Sequence, residues 1–292
     1  MNRLSILLAI ILCSGLLMNS GSVEGIGPGS PQKKKYPMVT IQDTEARKLL
    51  SRMVKDEFRI HVYLPRGYYS GIKNYPVIYL LDAEYSFGCV AYVVRRLIKG
   101  REIPEAVVVG VSYEVPYEEY YRRRQRDFAP TKYALDEFPM SGFAENFAKF
   151  LQYELIPFVN KNYRTKQSDT TIIGFSLSGL FNTYMLFQHT HLFNRYVIIS
   201  PSLWWDHNIC FRYERQYAKN KSDLPARMYM VAGEQDGPLI KNTVAKMKEI
   251  LAKRNYDNFV YQVSFLPDET HRTIYANAVT KGLRFVFTDF KK

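Results

Sequence analysis

The chain has 292 residues, of which 47% are hydrophobic and 15% aromatic, and its formal net charge is +12 at pH 7. This much apolar material supplies a packed core and excludes an intrinsically disordered protein, while the length fits one large α/β domain or two small ones. The positive charge suits an anionic substrate, an anionic lipid surface or simple solubility.

The N-terminus has the layout of a secretory signal peptide. Arg3 precedes an almost uninterrupted apolar run over residues 4–18, and small residues follow at 20–22. The run is shorter than the roughly 20 residues that a spanning helix needs, which favours cleavage over a membrane anchor. We therefore expect residues 1–22 to be removed and the mature protein to be periplasmic or secreted. It would have no integral membrane segment and no nucleic-acid partner.

The next segments predict a linker and then an antiparallel sheet edge. Residues 23–36 are rich in Gly, Pro and Lys, as linkers are. β-like stretches follow at 38–41, 48–53 and 57–64, and the last alternates apolar with polar side chains, as a strand with one solvent face does. These strands would form the N-terminal edge of a single domain over residues 37–292.

Short apolar runs then alternate with helix-like segments. The runs lack polar alternation, which is typical of parallel strands buried on both faces; they lie at 76–81, 106–111, 170–173, 195–199, 228–232 and 260–265. Apolar residues that include Phe143, Phe147 and Phe158 recur at helical spacing over 143–158 and predict one buried helix face, where Pro157 should kink or end the helix. The same spacing recurs over 240–251. The pattern predicts a doubly wound, mostly parallel α/β sheet with an antiparallel N-terminal edge.

Residues 113–142 do not follow this alternation. They are rich in Tyr and Arg and show no clear period. Because a loop of that length inside a compact domain is usually functional or disordered, and this one is rich in aromatics, we expect an ordered excursion over the sheet. Its expected place is near the strand ends, where ligands bind in α/β folds.

A serine at a strand-to-helix corner is the candidate nucleophile. The residues GFSLS at 174–178 follow a buried strand and precede a helix, and they match G-x-S-x-G except that Ser178 replaces the second glycine. Small residues relieve the crowding of a tight turn that exposes the hydroxyl of Ser176. The alternative is a structural turn whose serine caps the helix.

A nucleophilic serine needs a general base, and the base needs an orienting carboxylate. In α/β-hydrolases the order along the chain is Ser, acid, His, on loops after later strands. The loop after 228–232 offers Glu234 and Asp236, of which Asp236 is preferred unless it caps the following helix. His271 follows the last apolar run and is the candidate base.

The oxyanion of an acyl-transfer intermediate needs fixed hydrogen-bond donors. One candidate is the backbone N–H of Leu177, next to the nucleophile. The other is a backbone N–H of Ala83 or Glu84, in the loop after 76–81, and the sequence does not choose between them.

Cysteines and metals play no predicted part in this chemistry. Cys89 and Cys210 remain after signal cleavage, and they either pair in an oxidising compartment or stay as buried thiols. The sequence contains no Cys/His cluster at zinc spacing, and we expect no metal and no other cofactor.

The chain resembles the esterase family of α/β-hydrolases that includes esterases of catecholate siderophores. Matching segments occur in the right order; they are RIHVYLP, YPVIYLLDAE, VVVGVSY with RQRDFAPT, FLQYELIPFVNKNYRT, IIGFSLSGL, FNRYVIISPSLWW and DETH. The resemblance implies an α/β-hydrolase fold with Ser176 as nucleophile and His271 as base. Some siderophore esterases of this family work with a weak or absent acid, so the resemblance does not by itself assign the acid to Asp236.

The resemblance also implies a loop that carries the family signature R-x-R-D-F-x-P, present here with Arg124 and Arg126. Arg126 and Asp127 are interpreted mainly as loop scaffolding, and Arg124 and Arg126 are also candidate substrate contacts. Trp204 follows the run 195–199 and is a candidate pocket residue or a core aromatic. Phe175 stands where the family often has His.

These observations predict an exported serine esterase that hydrolyses carboxylic esters of a small molecule. Siderophore esters and other acyl esters are both compatible with the resemblance. The arginine cluster at residues 122, 123, 124 and 126 suits an anionic substrate. Two alternatives are acyl transfer to a sugar or lipid acceptor and a binding module that has kept the fold without the chemistry. The sequence does not predict the oligomeric state.

Overall fold

The computed structural model of the chain describes residues 39–133 and 138–291. Its packing divides the chain into two units, Met1–Gln42 and Asp43–Lys292, and the description below concerns the second. The predicted signal peptide and linker, residues 1–22 and 23–36, lie outside the described residues and stay predictions.

Within the described residues, one eight-stranded sheet forms the centre of the second unit. Its strands are β1 (Thr44–Ser51), β2 (Asp56–Tyr63), β3 (Tyr75–Leu80), β4 (Val107–Ser112), β5 (Thr165–Phe175), β6 (Arg195–Ile199), β7 (Asp223–Gly233) and β8 (Asp257–Leu266). They lie in the order β1-β2-β4-β3-β5-β6-β7-β8. β2 is antiparallel to both β1 and β4, and the remaining pairs are parallel.

This topology confirms the predicted α/β-hydrolase fold with its antiparallel N-terminal edge. β3, β4 and β6 are buried at every position, as expected of parallel strands that carry helices on both faces. The β-like stretch at 38–41 was wrongly predicted to be a strand, because residues 39–41 form none. The first ladder starts at Thr44, opposite Tyr63, where β2 ends.

Helices connect most of the parallel strands. They are α1 (Ala83–Lys99), α2 (Tyr117–Phe128), α3 (Ala144–Phe150), α4 (Ile156–Asn162), α5 (Leu177–Gln188), α6 (Trp205–Asn220), α7 (Pro238–Ala252) and α8 (Tyr275–Val286). α1 and α8 pack together over one face of the sheet, and α5 contacts α2 and α6. None of the helices among the described residues is long and apolar enough to cross a membrane.

Helix α2 lies inside the segment 113–142, which was predicted to be an ordered excursion without a clear period. The buried positions of α2 include Arg124, Gln125 and Asp127, and only two of its buried side chains are aromatic. A helix that buries polar groups shows no apolar stripe, which is why its period was invisible in the sequence. Residues 134–137 of this segment lie outside the described part of the chain.

Pro157 does not end its helix. A π-helical segment, Leu151–Leu155, joins α3 to α4 immediately before the proline. Because a π turn inserts one residue, it moves the buried stripe along by one position, so Val159 is buried where Phe158 had been predicted. Phe143 precedes α3 and is half-exposed, whereas Phe147 is fully buried as predicted.

The two remaining cysteines are free thiols. Cys210 is fully buried on α6, and Cys89 is partly buried on α1. Burial raises the pKa of both thiols and so favours their protonated form. The structure therefore contains thiols rather than the disulfide that the sequence left open.

Candidate active site

Ser176 lies at the corner between β5 and α5 with a left-handed backbone. Its φ is 58° and its ψ is −111°, a conformation that is strained for any residue other than glycine. Two backbone hydrogen bonds hold the corner: Ser176 N–H donates to Ile199 O at 2.9 Å, and Ser202 N–H donates to Ser176 O at 3.0 Å. The residue is partly exposed, as a nucleophile must be.

Gly174 and Ser178, the small residues on either side of Ser176, have different structural roles. At residue 174, a Cβ would overlap the carbonyl oxygen of Ser178, so only glycine allows α5 to approach β5 this closely. Ser178 itself is fully buried, and its hydroxyl accepts the Phe175 N–H at 2.8 Å. Serine at residue 178 therefore contributes a hydrogen bond as well as a small side chain.

The carboxylate of Asp236 is bound by three donors at the end of β7. Ser200 Oγ donates to it at 2.7 Å, the Gly233 N–H at 2.8 Å, and Nδ1 of His271 lies 3.0 Å away. The Asp236 side chain is completely buried, whereas Glu234 is exposed. Asp236 makes no capping bond to α7, so that competing role does not occupy it.

The surroundings favour the charged form of Asp236. Burial alone would raise the pKa of this carboxyl group. The hydrogen bonds from His271, Ser200 and the Gly233 N–H outweigh burial and lower the pKa below its ordinary value. An ionised carboxylate bound to Nδ1 orients the imidazole and stabilises an imidazolium, as a triad acid must.

The His271 ring lies beside the nucleophile corner. It packs against the ring of Phe175, the residue before Ser176, with the ring centroids 4.6 Å apart and the planes at 33°. The ring of Tyr275 packs edge-on against the same Phe175 ring, with the ring centroids 5.7 Å apart. The loop that follows β8 therefore lies at the end of β5, so His271 is close to Ser176, as expected from the order Ser, acid, His along the chain.

Backbone contacts join the acid loop to the histidine loop. Glu234 N–H donates to Leu266 O at 2.9 Å, and Gln235 N–H donates to Glu269 O at 3.0 Å. Gly233 lies directly under this contact, where a Cβ would overlap the carbonyl oxygen of Glu269. The position of His271 relative to Asp236 therefore depends on glycine at residue 233.

The candidate oxyanion donors lie at two helix N-termini. Leu177 is the first residue of α5, and Ala83 is the first residue of α1. The first N–H groups of a helix have no intrahelical partner and lie at the positive end of its dipole. The Glu84 carboxylate accepts the Tyr113 N–H, and burial raises the pKa of this carboxyl group.

Sequence reasoning missed the group that organises this region, the carboxylate of Asp82. Asp82 precedes α1 with a left-handed backbone, φ 56°, and is buried. Arg124 binds it through Nε at 2.6 Å and through a second guanidinium nitrogen at 2.8 Å, and Tyr120 and Ser178 donate to it at 2.9 and 2.7 Å. Neither the burial of Arg124 nor its bidentate bond to Asp82 can be read from the sequence, and the segment that contains Arg124 shows no clear period.

The three predicted substrate contacts differ in what they already bind. The guanidinium of Arg124 is bound to Asp82, and that of Arg126 is bound to Asp56 at 2.9 Å and to Asp127 at 2.7 Å. These bonds favour positioning roles for both arginines. Trp204 is partly exposed in an aromatic cluster with Trp205, Tyr133 and Phe138. Its contact with substrate stays a prediction.

The described residues contain no group of three or more His, Cys, Asp or Glu side chains arranged to hold a metal ion. The polar groups of the candidate site are instead bound to each other. Asp236 is bound to His271 and Ser200, and Asp82 is bound to Arg124 and Ser178.

The family comparison agrees with this geometry. The Esterase family model, described as "Putative esterase", matches residues 51–273. The chain belongs to this esterase family. Family membership makes the chain a carboxylic ester hydrolase, as the sequence predicted.

Similar proteins span most of this chain. The ferri-bacillibactin esterase BesA of Bacillus subtilis (strain 168) is 29% identical over 265 residues, which are 84% of this chain and 90% of that protein. The crystal structure of the BES protein from Bacillus cereus is 25% identical with a TM-score of 0.78, covering 87% of this chain and 98% of that one. An IroE-like serine hydrolase from Shewanella oneidensis shares the fold, with a TM-score of 0.77 at 24% identity and coverage of 85% and 81%.

Gly233→Ala should uncouple the acid from the histidine loop. The added Cβ would overlap Glu269 O and displace the loop that carries His271. Because a misplacement of about 1 Å can cost about 100-fold in rate, we expect kcat for ester hydrolysis to fall by about 10- to 100-fold. Gly237→Ala is the matched control, since its added Cβ would meet nothing within 4 Å. Equal kcat values for the two variants would contradict the coupling.

Proposed function

We propose that this protein is an exported serine esterase with a Ser176–His271–Asp236 triad. The observation that carries the proposal is the buried Asp236 carboxylate 3.0 Å from Nδ1 of His271, whose ring packs on the residue before the strained Ser176. Export rests on the N-terminal sequence pattern alone. A mature protein that begins near residues 20–22 is the expected product of secretion.

The reaction follows from these positions. Ser176 Oγ attacks the ester carbonyl while Nε2 of His271 takes its proton, and Asp236 stabilises the resulting imidazolium. The N–H groups of Leu177 and of Ala83 or Glu84 donate to the oxyanion. His271 then protonates the leaving alcohol and activates water, which releases the acid from Ser176 and regenerates the free hydroxyl.

For the substrate we propose a siderophore ester. The support is the similarity to BesA, which is named as a ferri-bacillibactin esterase, over 84% of this chain. Exposed aromatic side chains lie beside the oxyanion loop, with Tyr85 68% and Tyr117 53% exposed, and Tyr85 packs on Tyr120. Flat, exposed rings beside this loop suit an ester with an aromatic acyl group.

Ser176→Ala should abolish both hydrolysis and covalent labelling. A fluorophosphonate reacts with an activated serine, so intact-mass spectrometry should show one phosphonyl group on the wild type and none on the variant. Labelling of the variant at an unchanged rate, or a folded wild type that does not react, would contradict the triad and favour a binding module.

The same preparations can identify the substrate class. A panel of nitrophenyl esters of increasing chain length, a feruloyl ester and a cyclic catecholate trilactone should show the highest kcat/KM for the trilactone. Preference for a simple acyl ester would contradict the siderophore assignment. Turnover that requires an added sugar or lipid alcohol would instead indicate acyl transfer.

Asp236→Asn should reduce kcat far more than Glu234→Gln. Replacing a buried triad acid costs about 1,000-fold or more, because the imidazole loses its orientation and its counter-charge. Glu234 is exposed and is therefore a matched carboxylate control two residues away. Equal losses in the two variants, or a larger loss in Glu234→Gln, would exclude Asp236 as the acid.

The Asp236→Asn variant also has an expected stability profile. The folded-state pKa of Asp236 lies below its ordinary 3.8, so its charged form stabilises the fold above that pH. This stabilisation is lost as the pH falls through the folded pKa. The Tm of the variant should therefore lie below that of the wild type at neutral pH and approach it as the pH falls through the folded-state pKa of Asp236.

A further inference from the structure

The departure from G-x-S-x-G at residue 178 corresponds to a specific set of bonds. We propose that Ser178 is a positioning residue that ties the two halves of the oxyanion hole together through the buried carboxylate of Asp82. The inference rests on the proposed function, because it assigns a role within the same site.

The hydroxyl of Ser178 bridges two separate segments. Its oxygen accepts the Phe175 N–H at 2.8 Å, and its O–H donates to Oδ2 of Asp82 at 2.7 Å. Phe175 O, at 3.0 Å, is a second acceptor, but the hydroxyl has one proton and the shorter bond to a carboxylate is the stronger. Glycine at this position would leave the Phe175 N–H and one oxygen of Asp82 without this partner.

Each end of the bridge lies next to a candidate oxyanion donor. Leu177 immediately precedes Ser178, and Ala83 immediately follows Asp82, with Glu84 next along the helix. These donors belong to different helices, α5 and α1, and nothing covalent fixes the distance between them. The bond between Ser178 and Asp82 joins their neighbours and so sets that distance.

The Asp82 carboxylate is itself fixed by α2. Tyr120 OH donates to Oδ1 at 2.9 Å, and Arg124 donates to Oδ1 at 2.6 Å and to Oδ2 at 2.8 Å. Asp82 is 8% exposed and Arg124 is 9% exposed, so water does not compete for these bonds. A bidentate guanidinium pair has a fixed geometry, which makes the carboxylate a rigid anchor for Ser178.

The backbone on both sides of the bridge is strained. Asp82 has φ 56° and Ser176 has φ 58°, and neither is glycine. Such conformations persist only where the surrounding contacts over-determine them. Ser178 supplies such contacts at both places. Its bond to Asp82 holds a residue with positive φ, and its bond to the Phe175 N–H holds the residue directly before Ser176.

The consequence is specific to the transition state. An oxyanion hole stabilises developing charge because its donors are fixed before the reaction begins. Without the bridge each helix keeps its own N–H groups, but their separation varies. Stabilisation of the oxyanion falls, whereas binding of the substrate before reaction does not depend on it.

Ser178→Ala should therefore lower kcat while KM stays nearly constant. Loss of a whole oxyanion donor costs about 100- to 1,000-fold, and a displaced donor should cost less, about 10- to 100-fold. Steady-state hydrolysis of a nitrophenyl ester gives kcat and KM, and the rate of fluorophosphonate labelling should fall in parallel because the phosphonyl oxygen uses the same donors.

Ser51→Ala is the matched control. The Ser51 hydroxyl is also buried, accepts the Val54 N–H at 3.0 Å and donates to a carboxylate oxygen of Glu154 at 2.5 Å, but it lies on the edge strand β1. Both substitutions remove the same type of hydrogen bonds, so both should lower Tm to a similar extent. Only Ser178→Ala should lower kcat.

The possible outcomes separate this proposal from the proposed function. Equal kcat values for the two folded variants, or a change in KM alone, would overturn the role of Ser178 while leaving the esterase intact. A wild type that neither hydrolyses esters nor reacts with the fluorophosphonate would overturn the proposed function and this role with it.

If Ser178→Ala does not fold, Tyr120→Phe carries the test. It removes one donor to Oδ1 of Asp82, keeps the ring, and leaves the Arg124 pair in place. A smaller fall in kcat at constant KM would support the anchor, and an unchanged kcat would overturn it.

Discussion

The left-handed backbone of Ser176 is the constraint on which the rest of the site depends. It turns the chain from β5 into α5 and leaves the side chain partly exposed, at a cost of about 1–3 kcal/mol for a residue other than glycine. The end of β6 and the segment that follows it offset this cost, because Ile199 accepts the Ser176 N–H and the Ser202 N–H donates to Ser176 O. Because β6 is the neighbour of β5 in the sheet, Ile199 lies where it can accept the Ser176 N–H, and the sheet order therefore helps to fix the backbone of the candidate nucleophile.

Two buried carboxylates serve this corner in different ways. Asp82 has a permanently charged partner, Arg124, and its bonds hold segments of backbone in place. Asp236 has the neutral donors Ser200 Oγ and the Gly233 N–H, and it is bound to His271, the base of the proposed mechanism. A carboxylate with an arginine partner is suited to rigidity, whereas one with a histidine partner can respond to a change in charge during catalysis.

The sequence predicted the elements that follow local rules. Buried β-branched runs specified the sheet, and the order of motifs along the chain identified Ser176, Asp236 and His271 as candidates. It could not predict α2, because that helix buries arginine and aspartate where periodicity requires apolar residues. The Asp82–Ser178 bond joins residues 96 positions apart, and no local pattern records such a contact. The one local sign was serine in place of the second glycine of the motif.

A crystal structure of the phosphonylated protein tests the account most directly. The account predicts a covalent bond from Ser176 Oγ to phosphorus, with the phosphonyl oxygen about 2.7–3.1 Å from the N–H of Leu177 and from an N–H at the start of α1. It also predicts Nε2 of His271 within hydrogen-bonding distance of an oxygen on the adduct. A phosphonyl oxygen that points to solvent, or an adduct on any other residue, would contradict the account.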